Sequence, residues 1–505
     1  MASNVSEPLR ISARHVRRCS PGGGVPMDLE QAEAEVAAAK PVIDRGRSSG
    51  PHAWRLPWPP SWLRTQRDAS AAPPHEPPDP PPWTTASCSA HRGDSLASVV
   101  IGGAALLLLL LRAPQAPRKI WAEDGSVFLQ DAVDHGPLRP FFDSYQGYFL
   151  VVPRAIGAAA ASLPLQAASH IMWALVALVV AYCAGAIYLF SWPWLRSWAS
   201  RTILAVSLVI LPTLGIEAIA NAANLQFMMV FASMIVLLGS PRSGAQGLSG
   251  FVLVIATGLT TPIALFLAPI AALRILWRRP HRIDAAIVAW LLGITVQLVA
   301  ILIASTRRTI RGESSFEGTI DALLEDVLFT NLAPHGDPTM RSSRVLALGV
   351  ASLLVCGAAV AWRNHDRRKA ALILGIPVAG SVLFLLMGLR FGINSRYMSI
   401  PAWCVIWSIL VCIEALATSI NRKYEFRRGQ ALVVTALFAA LLAMISLRSW
   451  APSSYRSSGP FWRDSILAAE YFCSFAENDR ANLRVAPVGP RSGAFFVRVP
   501  CASIT

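Results

Sequence analysis

The chain has 505 residues, of which 54% are hydrophobic and only 15% charged, against about 25% charged in an ordinary soluble protein. A mean hydropathy of +0.46 and closely spaced uncharged runs at 96–111, 166–190 and 430–446 exclude a soluble enzyme. The formal net charge of +15 does not point to nucleic acid, because residues 1–95 carry 11 Lys and Arg against 10 Asp and Glu. The excess therefore lies in the membrane part, much of it in short loops between apolar runs, where it is a topology signal.

Residues 1–94 hold 15 of the 36 prolines, including Pro77–Pro78–Asp79–Pro80–Pro81–Pro82, and no apolar period long enough for a core. This composition predicts a disordered, Pro-rich cytoplasmic tail. No charged-then-apolar leader follows Met1, so no cleavable signal is expected. Between 95 and 450 the apolar runs are continuous and lack period-2 alternation, which excludes an outer-membrane barrel. With a bilayer core of about 30 Å and roughly 20 apolar residues per crossing, about ten to eleven membrane segments fit. The expected fold is all-α, a polytopic transmembrane helical bundle.

Arg196 and Arg201, Arg242, the cluster Arg274–Arg278–Arg279–Arg282, then Arg363–Arg367–Arg368–Lys369 and Arg422–Lys423–Arg427–Arg428 recur between apolar runs, as cytoplasmic loops do. One conflict arises: Arg242 and the Arg274 cluster both belong inside, yet a single apolar stretch, 250–277, joins them. Thr260–Thr261–Pro262 resolves it, since a mid-helix proline removes a hydrogen bond and clashes with the preceding turn, so 250–277 is expected to form a broken helical hairpin. With that hairpin the N-terminus is cytoplasmic, and the loops 113–165 and 305–343 and the tail 451–505 are extracytoplasmic. Heavy use of Ala, Arg and Pro suggests a GC-rich bacterial genome, hence a bacterial plasma membrane.

The first outer loop contains Trp121–Ala122–Glu123–Asp124–Gly125–Ser126–Val127–Phe128–Leu129–Gln130–Asp131. On an α-helix Asp124 and Asp131 would share a face, with Glu123, Gln130 and Asp134 on a neighbouring stripe. Adjacent carboxylates beside apolar Trp121 and Phe128 suit a general base, and the competing reading is a solvated acidic loop. Tyr145 and Tyr148 follow before an apolar helix, as interfacial anchors or as stacking surfaces for a sugar or lipid head. Glu217, Asn221 and Asn224 fall at i, i+4 and i+7 near the outer end of the apolar runs. They are expected as one helical stripe lining a polar pocket or bonding a neighbouring helix. Arg390 and Arg396, with Tyr397, stand at an outer membrane end with no local acid. They are placed to hold an anionic lipid phosphate or to snorkel to headgroups.

Cys473 and Cys501 both lie in the outer tail, while Cys183, Cys356, Cys404 and Cys412 lie in predicted helices. A pair in an oxidising compartment predicts a disulfide. No Cys-x-x-Cys, His-Glu-x-x-His or phosphate-loop pattern occurs and the nine histidines do not cluster, which removes support for metal-hydrolase and nucleotide-hydrolase chemistry.

The acidic pair opening the first outer loop, the broken helix, the polar stripe at the outer face and the late Arg396–Tyr397 before Pro401 together resemble the GT-C superfamily of membrane glycosyltransferases. The likeness in architecture covers roughly 95–505; the likeness in motif rests on Glu123 and Asp124 and on Arg396 and Tyr397. This chain reads Glu-Asp where several members read Asp-Glu. The resemblance implies an inverting transfer of a sugar from a polyprenyl-phosphate donor in the membrane lipid to a glycan, lipid or protein acceptor. Asp124 or Glu123 would be base, Arg396 and Arg390 would meet the leaving phosphate, and Glu217, Asn221 and Asn224 would meet sugar hydroxyls. No nucleotide and no obligatory metal is required by these residues, although an acidic loop also suits a divalent ion. The reading from another class is a transporter or lipid or polysaccharide flippase, since broken helices and mid-membrane polar groups are transporter features.

Overall fold

The computed structural model describes residues 88–504 except 146, 213–218, 278–283, 304–319, 321–322, 324–339, 392–394, 425–428, 449–458, 476–478 and 487–494. The expected loop 305–343 thus lies almost wholly outside the described residues, as does the tail up to 87. The helices are α1 (Cys88–Arg112), α2 (Gln130–His135), α3 (Val151–Ala161), α4 (Ala168–Phe190), α5 (Trp198–Ile210), α6 (Leu225–Leu238) and α7 (Gly244–Thr260). They continue as α8 (Ala268–Trp277), α9 (Ala285–Ile303), α10 (Met340–Arg363), α11 (Arg367–Phe391), α12 (Ser399–Tyr424), α13 (Gly429–Arg448) and α14 (Trp462–Phe475). Among the described residues, six helical stretches are long and apolar enough to cross a membrane on length and composition. The fold is an all-α polytopic bundle.

Helix α6 is its centre. Every residue from Phe227 to Leu238 is buried, as expected of a helix apolar all round. Phe231 stacks on Trp403 of α12 at 5.3 Å between ring centres and meets Trp407 edge-on at 6.4 Å. Around this centre helices approach through small residues, which let backbones come close: a Cβ at Gly102 would lie 2.8 Å from the Ala181 carbonyl oxygen, and Gly258 and Gly293 meet across α7 and α9.

Polar contacts fix which helix ends lie together. At the basic end, Asp94 near the start of α1 pairs with Arg201 of α5 (3.2 Å) and with Arg242. Glu414 of α12 accepts the Arg196 and Ser197 main-chain N–H groups there (2.6 and 2.9 Å). At the other, acidic end, Arg112 closing α1 donates to the Val209 carbonyl of α5. Helix α1 begins at Cys88, six residues before the tail boundary expected at 94, and Arg201 and Arg242 neutralise Asp94 within it.

The stretch 250–277 breaks at Thr261–Pro262 and doubles back. Thr261 Oγ1 donates to Gln226 Oε1 at the start of α6 (2.8 Å) and accepts the Ile263 N–H (3.2 Å). Thirteen residues on, Arg274 of α8 donates to the Val236, Leu237 and Gly239 carbonyls at the far end of α6. A cation on the last carbonyls of a helix satisfies orphan acceptors and opposes its dipole. Asp284, opening α9, completes the cluster by accepting from Arg274 Nε (2.7 Å). Arg242 and Arg274 therefore share the basic end, as the two basic loops require.

The tail after 451 is more structured than a simple tail. Helix α14 packs on an antiparallel pair, β1 (Arg480–Arg484) and β2 (Phe496–Pro500), in register Arg480 with Pro500 and Arg484 with Phe496. Alternation puts Ala481, Leu483, Val497 and Val499 inside, the period-2 pattern of a half-buried sheet. Cys473 of α14 is disulfide-bonded to Cys501 after β2, 28 residues apart. Trp462 Nε1 donates to the Leu165 carbonyl (2.6 Å) and so ties this unit to the acidic end. Peptide mapping of unreduced protein is expected to recover the Cys473–Cys501 pair. Serine at both positions is expected to cost about 2–5 kcal/mol, the usual range for a small disulfide-closed unit, read as a lowered thermal midpoint. Two free thiols in protein from an oxidising compartment would count against the pairing.

Candidate active site at the acidic end

Three segments distant in sequence meet at this end: the acidic loop 120–148, the turn 219–226 leading into α6, and the turn 395–398 leading into α12. Residues 124–129 wind as a π-helix before α2. The expected shared face of Asp124 and Asp131 is corrected here, since the wider winding takes the two carboxylates to different partners. Asp131 pairs with Arg154 of α3 (2.9 Å). Gln130 and Asp134 turn to the C-terminal unit, bonding Arg498 and Arg480.

Asp124 is buried, and both of its oxygens accept main-chain N–H groups, Ala222 at 2.8 Å and Ala223 at 3.1 Å. This explains the course of the turn 219–224. Ala220 sits at φ +58 and the segment is not helical, so the helical stripe Glu217, Asn221 and Asn224 is corrected. Glu217 lies outside the described residues. Asn221 accepts the Asn224 N–H through Oδ1 (2.9 Å), bending the chain into α6, a local use of Asn that competes with helix. Gln226 then ties Ala223 (3.1 Å) to Thr261.

Of the three described non-glycine residues with positive φ, two flank the Asp124 contact, Ala122 at +32 and Ala220 at +58. Such residues cost of order 1–3 kcal/mol each and persist only where their surroundings fix them. Ala122 immediately precedes Glu123, whose side chain is partly exposed and, among the described residues, makes no hydrogen bond or ion pair. Two neighbouring carboxylates thus have opposite surroundings, one spent on the backbone and one available.

An aromatic group stands at the same end of the bundle. Tyr145 and Tyr148 exchange main-chain hydrogen bonds (2.8 and 3.1 Å) across a tight turn in which Gly147 takes φ +90, a value that favours glycine. Their rings meet edge-on at 6.2 Å, and Tyr145 packs on Phe128 at 6.3 Å. Burial holds the Tyr148 phenol above its ordinary pKa. Tyr145, Tyr397 and Glu123 push the same way, and Arg396 opposes them. Tyr148 therefore stays a neutral O–H donor among Glu123, Arg396 and Tyr397. The Arg396 guanidinium lies 5.4 Å from the centre of the Tyr397 ring, and that ring meets Phe227 edge-on at 5.7 Å. Arg390 is in the last turn of α11, and its side chain lies outside the described residues.

Some of the site escaped sequence reading. The Ala222 and Ala223 amides carry no side-chain signal. Phe227 is indistinguishable in sequence from the other core residues of α6. Gln297 was findable, because a lone glutamine inside the apolar run Ala285–Ile303 calls for a polar partner. It bonds both the N–H (3.0 Å) and the carbonyl (2.9 Å) of Phe149 and so holds the tyrosine turn against α9. Among the described residues no group of three or more His, Cys, Asp or Glu is placed to hold a metal ion.

No family model matches the chain, and no curated protein does. Two solved structures of an oligosaccharyltransferase from the archaeon Archaeoglobus fulgidus are loosely similar. One, in complex with zinc and sulfate, aligns with TM-score 0.36 and 12% identity over 75% of this chain and 56% of its own. The other, AglB in complex with an inhibitory peptide and a dolichol-phosphate, aligns with TM-score 0.38 and 11% identity over 78% of this chain and 59% of its own. The chain thus spans less than two thirds of either, and likeness at this level assigns neither fold family nor activity.

Proposed function

We propose that the protein is a multi-pass membrane glycosyltransferase of GT-C type that moves a sugar from a polyprenyl-phosphate donor to an acceptor hydroxyl, with inversion. The observation that carries this reading is the grouping of Glu123, Tyr148, Arg396 and Tyr397 at one end of the bundle. Glu123 is the base: it takes the acceptor proton as the acceptor oxygen bonds to the anomeric carbon and the bond from that carbon to the lipid phosphate breaks. Arg396, with Arg390 as the second cation, stabilises the phosphate that leaves with the electron pair. Tyr148 donates a hydrogen bond, and Tyr145 and Tyr397 offer ring faces to the sugar. Asp124 holds the turn beside them, with Asn221 and Asn224 in it. Glycans, lipids and proteins all carry suitable hydroxyls.

The basic end, with Arg201, Arg242, Arg274 and Lys369, supports an orientation with the basic end cytoplasmic and the acidic end outside a bacterial plasma membrane. The broken hairpin at Thr261–Pro262 favours a second reading, a transporter or flippase.

The deciding experiment incubates purified full-length protein with a panel of polyprenyl-phosphate sugars and measures released polyprenyl phosphate. Release by wild type is expected. Arg396→Ala is expected to weaken donor binding together with rate, because one guanidinium serves both the ground-state phosphate and the leaving group. A well-folded wild type that cleaves none of the donors would sink the glycosyltransferase and leave the flippase.

A further inference from the structure

We propose that the disulfide-closed C-terminal unit is a clamp that positions Glu123, with Gln130, Val485 and the main chain of Ala486 as positioning groups. The inference rests on the reading of Glu123 as base.

The strained residue before Glu123 is held from outside its own segment. Ala486 donates its N–H to the Ile120 carbonyl (3.0 Å) and accepts the Ala122 N–H on its own carbonyl (2.5 Å), so one residue of the C-terminal unit brackets residues 120–122. Trp121, Ala122 and Ala486 form a small buried cluster of their own, apart from the main core. Released from Ala486, Ala122 would relax towards negative φ and redirect the main chain that carries Glu123.

Two further contacts hold the clamp shut. Gln130 pairs with both backbone groups of Arg498 in β2, donating to its carbonyl (3.1 Å) and accepting its N–H (2.5 Å). Gly125, one residue after Asp124, lies between this unit and Ile120: a Cβ there would be 2.7 Å from Val485 Cγ1, 3.0 Å from Ile120 Cγ2 and 3.3 Å from Val497 Cγ2. The unit is in turn fixed to the bundle by Trp462 on Leu165 and by Gln166 donating to the Ile504 carbonyl (3.3 Å). The Cys473–Cys501 bond joins its helix to the end of its hairpin. The hydrogen bonds of this clamp fall on residues 120–130, whereas Arg396 and Tyr397 belong to the turn that leads into α12. A loosened clamp should therefore disturb the base and leave donor binding alone.

The test uses the full-length protein with Gly125→Ala as a wedge, the pair Gly125→Ala/Val485→Ala as its relief, and Gln130→Ala as a milder opening. Turnover of the polyprenyl-phosphate sugar is measured alongside hydrogen exchange of the 120–124 amides. Gly125→Ala is expected to lower kcat about 10- to 100-fold, the range for a small misplacement of a reacting group, with donor KM unchanged and with faster exchange at 120–124. Adding Val485→Ala removes the tightest of the three contacts and is expected to recover part of both, and Gln130→Ala to shift both in the same direction by less. Unchanged exchange in the Gly125→Ala protein, a rate loss that Val485→Ala does not relieve, or a loss carried by KM would overturn the clamp. If folded wild type turns over no donor, the glycosyltransferase reading fails on that arm, and the exchange arm still decides whether the C-terminal unit holds 120–124.

Discussion

Glu123→Gln is expected to reduce transfer by about 10²–10⁴-fold, the usual worth of a positioned general base, in a protein that still inserts and still binds donor. The amide keeps the shape of the side chain and removes its ability to take a proton, and no described partner depends on the carboxylate for folding. The neighbouring substitution should behave differently. Asp124→Asn replaces one of two oxygens that accept the Ala222 and Ala223 N–H groups with an NH2 group. A buried donor is then left facing a donor, a cost of roughly 1–3 kcal/mol, and the turn carrying Asn221 and Asn224 loses its hold. Asp124→Asn should therefore lower the thermal midpoint as well as the rate, whereas Glu123→Gln should lower the rate alone. Comparing kcat, donor KM and thermal midpoint for the two proteins separates the roles. If both keep wild-type transfer, this loop is not the catalytic site.

The bundle was legible because its signals are local. Apolar run length, arginines between runs and the Thr260–Thr261–Pro262 break each act within a few residues of where they are read. The residue types at the acidic end were legible too, as a Glu-Asp pair, two tyrosines and a late Arg-Tyr. Their grouping was not, since it joins positions near 123, 148, 222 and 396 through contacts no local pattern encodes. Two errors share one cause: the faces assigned to Asp124 and Asp131, and to Glu217, Asn221 and Asn224, assumed α-helical winding. The chain instead adopts a π-helix over 124–129 and a positive φ at Ala220. A π turn depends on what packs around it, and α3 packs so closely that a Cβ at Gly157 would lie 2.5 Å from the Phe128 carbonyl oxygen. Alanine at positive φ is likewise a tertiary decision. The C-terminal hairpin did leave a trace, the alternation of Ala481, Leu483 and Val485 with Val497 and Val499. That trace is short beside the apolar runs that precede it.

Asp131→Ala is expected to be the most destabilising single change at the acidic end, by about 3–5 kcal/mol, the cost of leaving a buried charge without its partner. Arg154, on α3, is only 2% exposed at its side chain and reaches Asp131 at 2.9 Å, while Asp131 is 29% exposed. The asymmetry sets the sign of the comparison. Removing Asp131 strands a guanidinium that cannot reach water, whereas Arg154→Met leaves a carboxylate that water already touches, so its cost should be smaller. The double variant Asp131→Ala/Arg154→Met removes both charges and fills the space with apolar atoms, and should recover much of the loss. Thermal midpoints of the four proteins in one detergent test the series. The consequence extends to the site, because α3 lies against the π-helix at Phe128, and Phe128 supports Tyr145 and through it Tyr148. Turnover should therefore fall in Asp131→Ala and return in the double variant, following stability; an unshifted midpoint in Asp131→Ala would show that the pair carries no such burden.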